Sequence, residues 1–225
     1  MVNKLPNIDF KGGKKNPIMD SPTEEFEIPF YKDNDYFVSL ENFVSFVKAV
    51  ESLVRRSDDY NKYIKYLREE IGLTKCQVLS NIETDQDDED GGQHTKIEMH
   101  HGPILTLFDL AAILTDWAIA NDKKITTFYI ADLLLQEHFN NNVQVVMLST
   151  TVHEQVHEGN VWININQAFG NLSAFIDKYM DGLNITHVNK INSYIEKSIE
   201  RDSYHNGVLT LNEQVKNWNK LNKEW

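Results

Sequence analysis

The stretch VQVVMLS, residues 143–149, constrains the fold more than any other. Its apolar residues run on without helical spacing, and the run is too short for a typical globular helix. It reads as a buried strand. Ser149 or Thr150 can cap a short helix through Glu158, and Gly159 suits the stop that follows. Most other apolar residues keep helical spacing. Leu40, Phe43, Val44, Val47, Val50 and Val54 recur at three and four, behind a Ser39 cap. The chain therefore reads as α+β.

Further elements follow from the same cues. A second helix is expected over 58–70, ended by Gly72. Residues 76–79 and 95–100 read as short strands around an acidic turn, which suggests a hairpin. Thr106 and Asp109 resemble a capping box that opens a helix to about 120. Another helix is expected over 127–138. Helical spacing continues through 165–181 and 187–200, and Thr210 with Glu213 opens a last helix. Residues 1–35 hold four of the five prolines and read as an extended arm.

Composition narrows the function classes. A single cysteine, Cys76, excludes an intrachain disulfide and a Cys-cluster zinc site. No apolar run approaches the roughly 18 residues of a membrane span, and the first residues lack a signal-peptide pattern. The expectation is a soluble, cytoplasmic (intracellular) protein with no membrane partner. A net charge of −12 counts against non-specific affinity for nucleic acid, although local potential matters more than the total. The run DQDDED, 85–90, reads as a solvated loop.

Eight histidines offer the richest chemistry. His100 and His101 end a strand. His153 and His157 stand at i and i+4 on a short helix, so they share a face and can bind one divalent metal. The letters His153-Glu154-Gln155-Val156-His157 also form H-E-x-x-H, the zinc metallopeptidase signature. That motif belongs inside a long helix, whereas here a strand precedes it and Gly159 follows closely. Elsewhere, His94 reads as exposed and His138 as a cation favoured at a helix end. His187 and His205 read as surface residues, and Glu154 as solvated. Trp117, Phe128 and Trp162 read as core. Lys123, Lys124, Lys178 and Lys190 are candidates for phosphate contact.

The segments IEMHHGPI (97–104) and QVVMLSTTVHEQVHEG (144–159) together resemble the HNH, or ββα-metal, endonuclease family. The closest likeness in motif type is to the nuclease domains of DNase colicins. The resemblance covers about 76–160. Family members end a first strand in His-His. A second strand opens with Asn and leads into a helix with two ligands four residues apart. Gln144 lies nine residues before His153, which is the family's spacing.

The resemblance implies a ββα-metal core with a helical insertion at about 105–140, flanked by N- and C-terminal helices. The implied organisation is an arm at 1–35, a helical region at 36–75, the HNH-like domain at 76–160 and a helical region at 161–225. It also implies DNA as substrate and a single divalent ion (Mg²⁺, Mn²⁺, Zn²⁺ or Ni²⁺) held by His100, His153 and His157. His101 would be the general base, with Gln144 in the place of the orienting Asn. The expected products carry 5′-phosphate and 3′-hydroxyl ends. Two departures stand out. Gln144 replaces Asn, and the structural zinc of many members is lost, because only Cys76 survives among positions 76, 79, 149 and 152. The alternative is a degenerate HNH-fold protein in a bacteriophage-like DNA-packaging or recombination assembly, where a protein partner supplies DNA affinity.

Overall fold

Short polar side chains start the first helices. The computed structural model describes residues 31–79 and 96–202. The arm through residue 30, the acidic run, His94, His205 and the helix expected from Thr210 lie outside these residues. Asp33 caps α1 (Asn34–Val38), so the end of the expected arm is helical. Ser39 caps α2 (Leu40–Arg56), as expected. The Ser57 hydroxyl donates to the Val54 carbonyl at 2.8 Å and accepts from the Tyr60 N–H at 3.1 Å. One serine thus ends α2 and starts α3 (Asp58–Glu69).

Helix α4 (Leu107–Ala120) opens with the expected capping box between Thr106 and Asp109. Leu107, Leu110, Ala111, Ile113, Leu114 and Ala118 are all buried, so apolar residues surround it on most sides. Each such buried Leu or Ile contributes about 1.5–3 kcal/mol. Helix α5 (Thr127–Phe139) starts at a Thr126 cap. Helix α2 packs on both α4 and α5. The two helices expected as an insertion therefore stand at the centre of the core.

The sheet has two antiparallel strands, β1 (Ile97–His101) and β2 (Val145–Ser149). His100 pairs with Val146 and His101 with Val145. This corrects the expected hairpin, because β1 pairs with β2 and not with 76–79. Residues 76–79 form no strand. Gln77 instead donates its N–H to the Met147 carbonyl at 2.8 Å, on the edge of β2 away from β1. Phe169 exchanges two hydrogen bonds with Val145 on that same edge, at 2.8 and 2.9 Å. The edge of β2 is thus covered by irregular chain, which explains why all five β2 residues are buried.

Helix α6 (Thr150–His157) follows β2 directly and packs on both strands. The continuous helix expected through 165–181 is broken into a 3₁₀ turn at Ile165–Gln167, α7 (Leu172–Lys178) and a 3₁₀ turn at Met180–Gly182. The pairing of Phe169 with β2 pulls this segment out of helix. Gly170 then turns at φ +113°, where an added Cβ would stand 2.1 Å from the Val143 carbonyl oxygen.

Helix α8 (Ile185–Asp202) is anchored by a Lys190–Asp109 ion pair. Lys178 is held by the fully buried Glu137. Both lysines are thus committed to carboxylates rather than placed for phosphate. Three other expectations also change. His138 is buried rather than a helix-end cation, His187 is buried rather than on the surface, and Phe128 is 72% exposed rather than core. His138 lies in the last turn of α5 but faces inward, where desolvation disfavours a cation. Over the described residues the protein is α+β, helix-rich with one small sheet. Among the described residues no helix is long and apolar enough to cross a membrane.

Candidate metal centre

Strand alternation decides which side of the sheet each residue serves. Ile97, Met99 and His101 are buried on one face of β1, while Glu98 and His100 lie half-buried on the other. Helix α6 brings His153 and His157 to His100. One ring nitrogen from each of the three lies within 4.8 Å of the others. The ring centroids of His100 stand 5.0 Å from His153 and 5.2 Å from His157.

The nitrogen atoms are oriented. His153 Nδ1 donates to Glu98 Oε2 at 2.8 Å, since a carboxylate accepts. That bond leaves His153 Nε2 as the nitrogen with a free lone pair. His157 Nε2 lies 3.0 Å from it. Two such nitrogens share one proton, which a divalent cation can displace. Lys96 contacts the second Glu98 oxygen at 3.1 Å. The hydrogen bond from His153, joined by that from Lys96, holds the Glu98 carboxyl below its ordinary range. Burial pushes His100 down to about 4, and the neighbouring His153, His157 and Arg55 add to the shift.

Glu98 was not singled out in the sequence. Its signal was there, two residues before His100 and hence on the same strand face. Gly102 makes room for the ring of His100. A Cβ at position 102 would meet His100 Nε2 at 3.0 Å, and the backbone there has φ +150°.

His101 and Gln144 do not join this cluster. His101 is 5% exposed and lies on the core face of β1. Its ring stacks on Tyr60 at 5.9 Å, and its Nε2 lies 2.9 Å from His138 Nε2. Its Nδ1 has no hydrogen-bond partner among the described residues. The Gln144 carbonyl accepts from the Gly102 N–H at 3.2 Å, which ties the ends of the two strands together. The buried side-chain oxygen of Gln144 has no partner among the described residues. Glu154, the Glu of H-E-x-x-H, is exposed.

Fold and site together define a helix-rich α+β protein with three histidines converging, at metal-ligand spacing, on a ββα unit. The chain belongs to the Bacteriophage G278-like virion protein family, whose profile matches residues 7–223. No curated protein and no solved structure matches it.

Proposed function

We propose that this virion protein is a metal-dependent endonuclease of the HNH type that hydrolyses DNA phosphodiester bonds. One observation supports this reading most. A strand and the helix after its partner strand bring ring nitrogens of His100, His153 and His157 within 4.8 Å of one another. The donor set fits a divalent cation. Three imidazoles suit Zn²⁺, Ni²⁺ or Mn²⁺ better than Mg²⁺, which prefers oxygen. The Glu98 carboxylate behind His153 is the usual support of a metal-binding imidazole.

His100, His153 and His157 would hold the cation, which would supply a Lewis acid for charge developing on the leaving 3′ oxygen. By resemblance alone His101 would accept the proton of the attacking water, whereas its ring is buried on the face of β1 opposite the three histidines. Gln144 would hold the end of β1 in place through its bond to Gly102. Nicking of supercoiled plasmid at low salt, with Zn²⁺, Ni²⁺, Mn²⁺ or Mg²⁺, tests the reading. Wild type should cut only with metal, and His101→Ala and His153→Ala should not cut. A wild type inactive with every metal, on plasmid and on branched DNA, refutes it.

A second reading is favoured by the burial of His101 against His138, on the strand face opposite His100, and by membership of a virion family. In that reading the ββα unit is a metal-stabilised binding module within a DNA-packaging assembly. It predicts metal binding at one equivalent with no cleavage. For a metallopeptidase, the neighbour of His153 and His157 should be a downstream acid. The third histidine of the cluster comes from upstream, and Glu154 is exposed.

A further inference from the structure

We propose that residues 210–225 form a helix that folds back antiparallel on α8 and covers an exposed isoleucine face of it. Helix α8 is seated on the rest of the protein by one stripe. His187, Ile191 and Ser198 are buried. Tyr194 donates its hydroxyl to the Ile163 carbonyl at 2.7 Å, and Lys190 pairs with Asp109. At about 100° per residue these positions share one side of the helix.

A second apolar stripe lies about a third of a turn away, at Ile185, Val188, Ile195 and Ile199. Ile185 is 71% exposed, Ile199 69% and Ile195 38%. Ile195 and Ile199 stand at i and i+4, so their side chains are neighbours. Exposed apolar residues scattered singly are ordinary. A row of them along one helix side marks a surface built to be covered.

The chain that follows α8 fits that row. The described residues end at Asp202, the last residue of α8, and residues 203–225 come next. Seven residues, 203–209, suit a connection between antiparallel helices, and Asn206-Gly207 is a turn signal within them. Thr210 and Glu213 then open a helix. Leu211, Val215, Trp218 and Trp225 follow at i, i+4, i+7 and i+14, which places them on one face. The family profile runs to residue 223, so this segment belongs to the shared pattern.

Length and register agree. A helix over 210–225 would be about 24 Å long, and the α8 row from Ile185 to Ile199 spans about 21 Å. With the turn centred at Asn206, Leu211 falls beside Ile199, Trp218 beside Ile195 and Trp225 beside Val188. The segment brings Lys216, Lys220 and Lys223 against Glu213 and Glu224, so it approaches a chain of net charge −12 without repulsion. A short loop holds it at high effective concentration over α8, whereas capture by a second copy carries the entropy of association.

Hydrogen exchange of the full chain, read by mass spectrometry, tests this. In wild type, the amides of 210–225 should exchange about 100-fold or more slowly than in an unfolded chain. Ile195→Asp with Ile199→Asp should abolish that protection and leave β2 protected, because both side chains lie on the surface. Ile195→Leu with Ile199→Leu should retain it. A cysteine pair, Ile195→Cys with Trp218→Cys, should form a disulfide within one chain under mild oxidation. The native Cys76 is buried and does not compete.

Exchange of 210–225 at the unfolded rate overturns the proposal. Protection that the Asp pair leaves untouched does so too, since the segment would then be seated elsewhere. A disulfide between two chains, seen as a dimer on a non-reducing gel, gives the face to a second copy and also overturns it. If β2 loses protection in the Asp pair, that variant has not folded, and the cysteine pair decides. None of these readouts involves metal or DNA, so they stand apart from the nuclease reading.

Discussion

Glu98 Oε2 accepts a hydrogen bond from His153 Nδ1 across 2.8 Å, and this bond leaves Nε2 of His153 as the nitrogen turned toward His157. Replacing Glu98 with Ala should weaken Zn²⁺ or Ni²⁺ binding by about 10–100-fold, and Glu98→Gln by less. Competition with a chromophoric chelator measures this. Unchanged affinity in Glu98→Ala would show that the carboxylate does not orient the ligand.

Metal should stabilise the fold through the three histidines. At about 100 times its dissociation constant, a bound cation adds about 2.7 kcal/mol. Thermal melts with and without Zn²⁺ should show this gain in wild type and lose it in His100→Ala or His153→Ala. Gly102→Ala should reduce it too, because a Cβ there would press on His100 Nε2 at 3.0 Å.

Stability should fall on acidification through His138. Burial holds this residue at about 4 in the fold, below the ordinary 6.5. Its neighbours are the Leu134 carbonyl, His101, Tyr60 and Tyr63, with Glu137 adding a partly offsetting negative charge. The unfolded chain binds the proton first, so stability is full above about 6.5. It is lost progressively as pH drops toward 4, by about 3 kcal/mol in total. Urea denaturation at pH 7 and pH 4.5 should show the loss in wild type and a smaller one in His138→Gln. Equal losses in both would place the effect elsewhere.

Gly170→Ala should destabilise the protein by about 1–3 kcal/mol or more. Its Cβ would stand 2.1 Å from a backbone oxygen of Val143, and φ is +113°. Chemical denaturation checks the magnitude. Because Gly170 lies beside the Phe169–Val145 bridge, the change should also loosen β2. Hydrogen exchange at Val145 should then quicken.

The local signals in the chain were legible where they acted locally. Ser39 and the Thr106–Asp109 capping box were read as helix starts, and the caps form as read. The placing of Ser149 before a short helix and of Gly159 after it also held. The pairing of β1 was misread because a nearby partner at 76–79 was preferred to one 44 residues past His101. Nothing local marks a long-range ladder; it is chosen by burial of β2 on every side.

Sequence alone determined the histidine spacings, the i and i+4 pair on one helix face, and the alternation that separates His100 from His101. Tertiary structure decided which histidines meet. It brought His100 to α6, turned His101 and His138 into the core, and set Glu98 behind His153. The reason is physical. Periodicity fixes the face on which a side chain lies, but the partner across that face comes from how distant segments pack, and only packing determines which imidazoles stay neutral and which nitrogen keeps its proton.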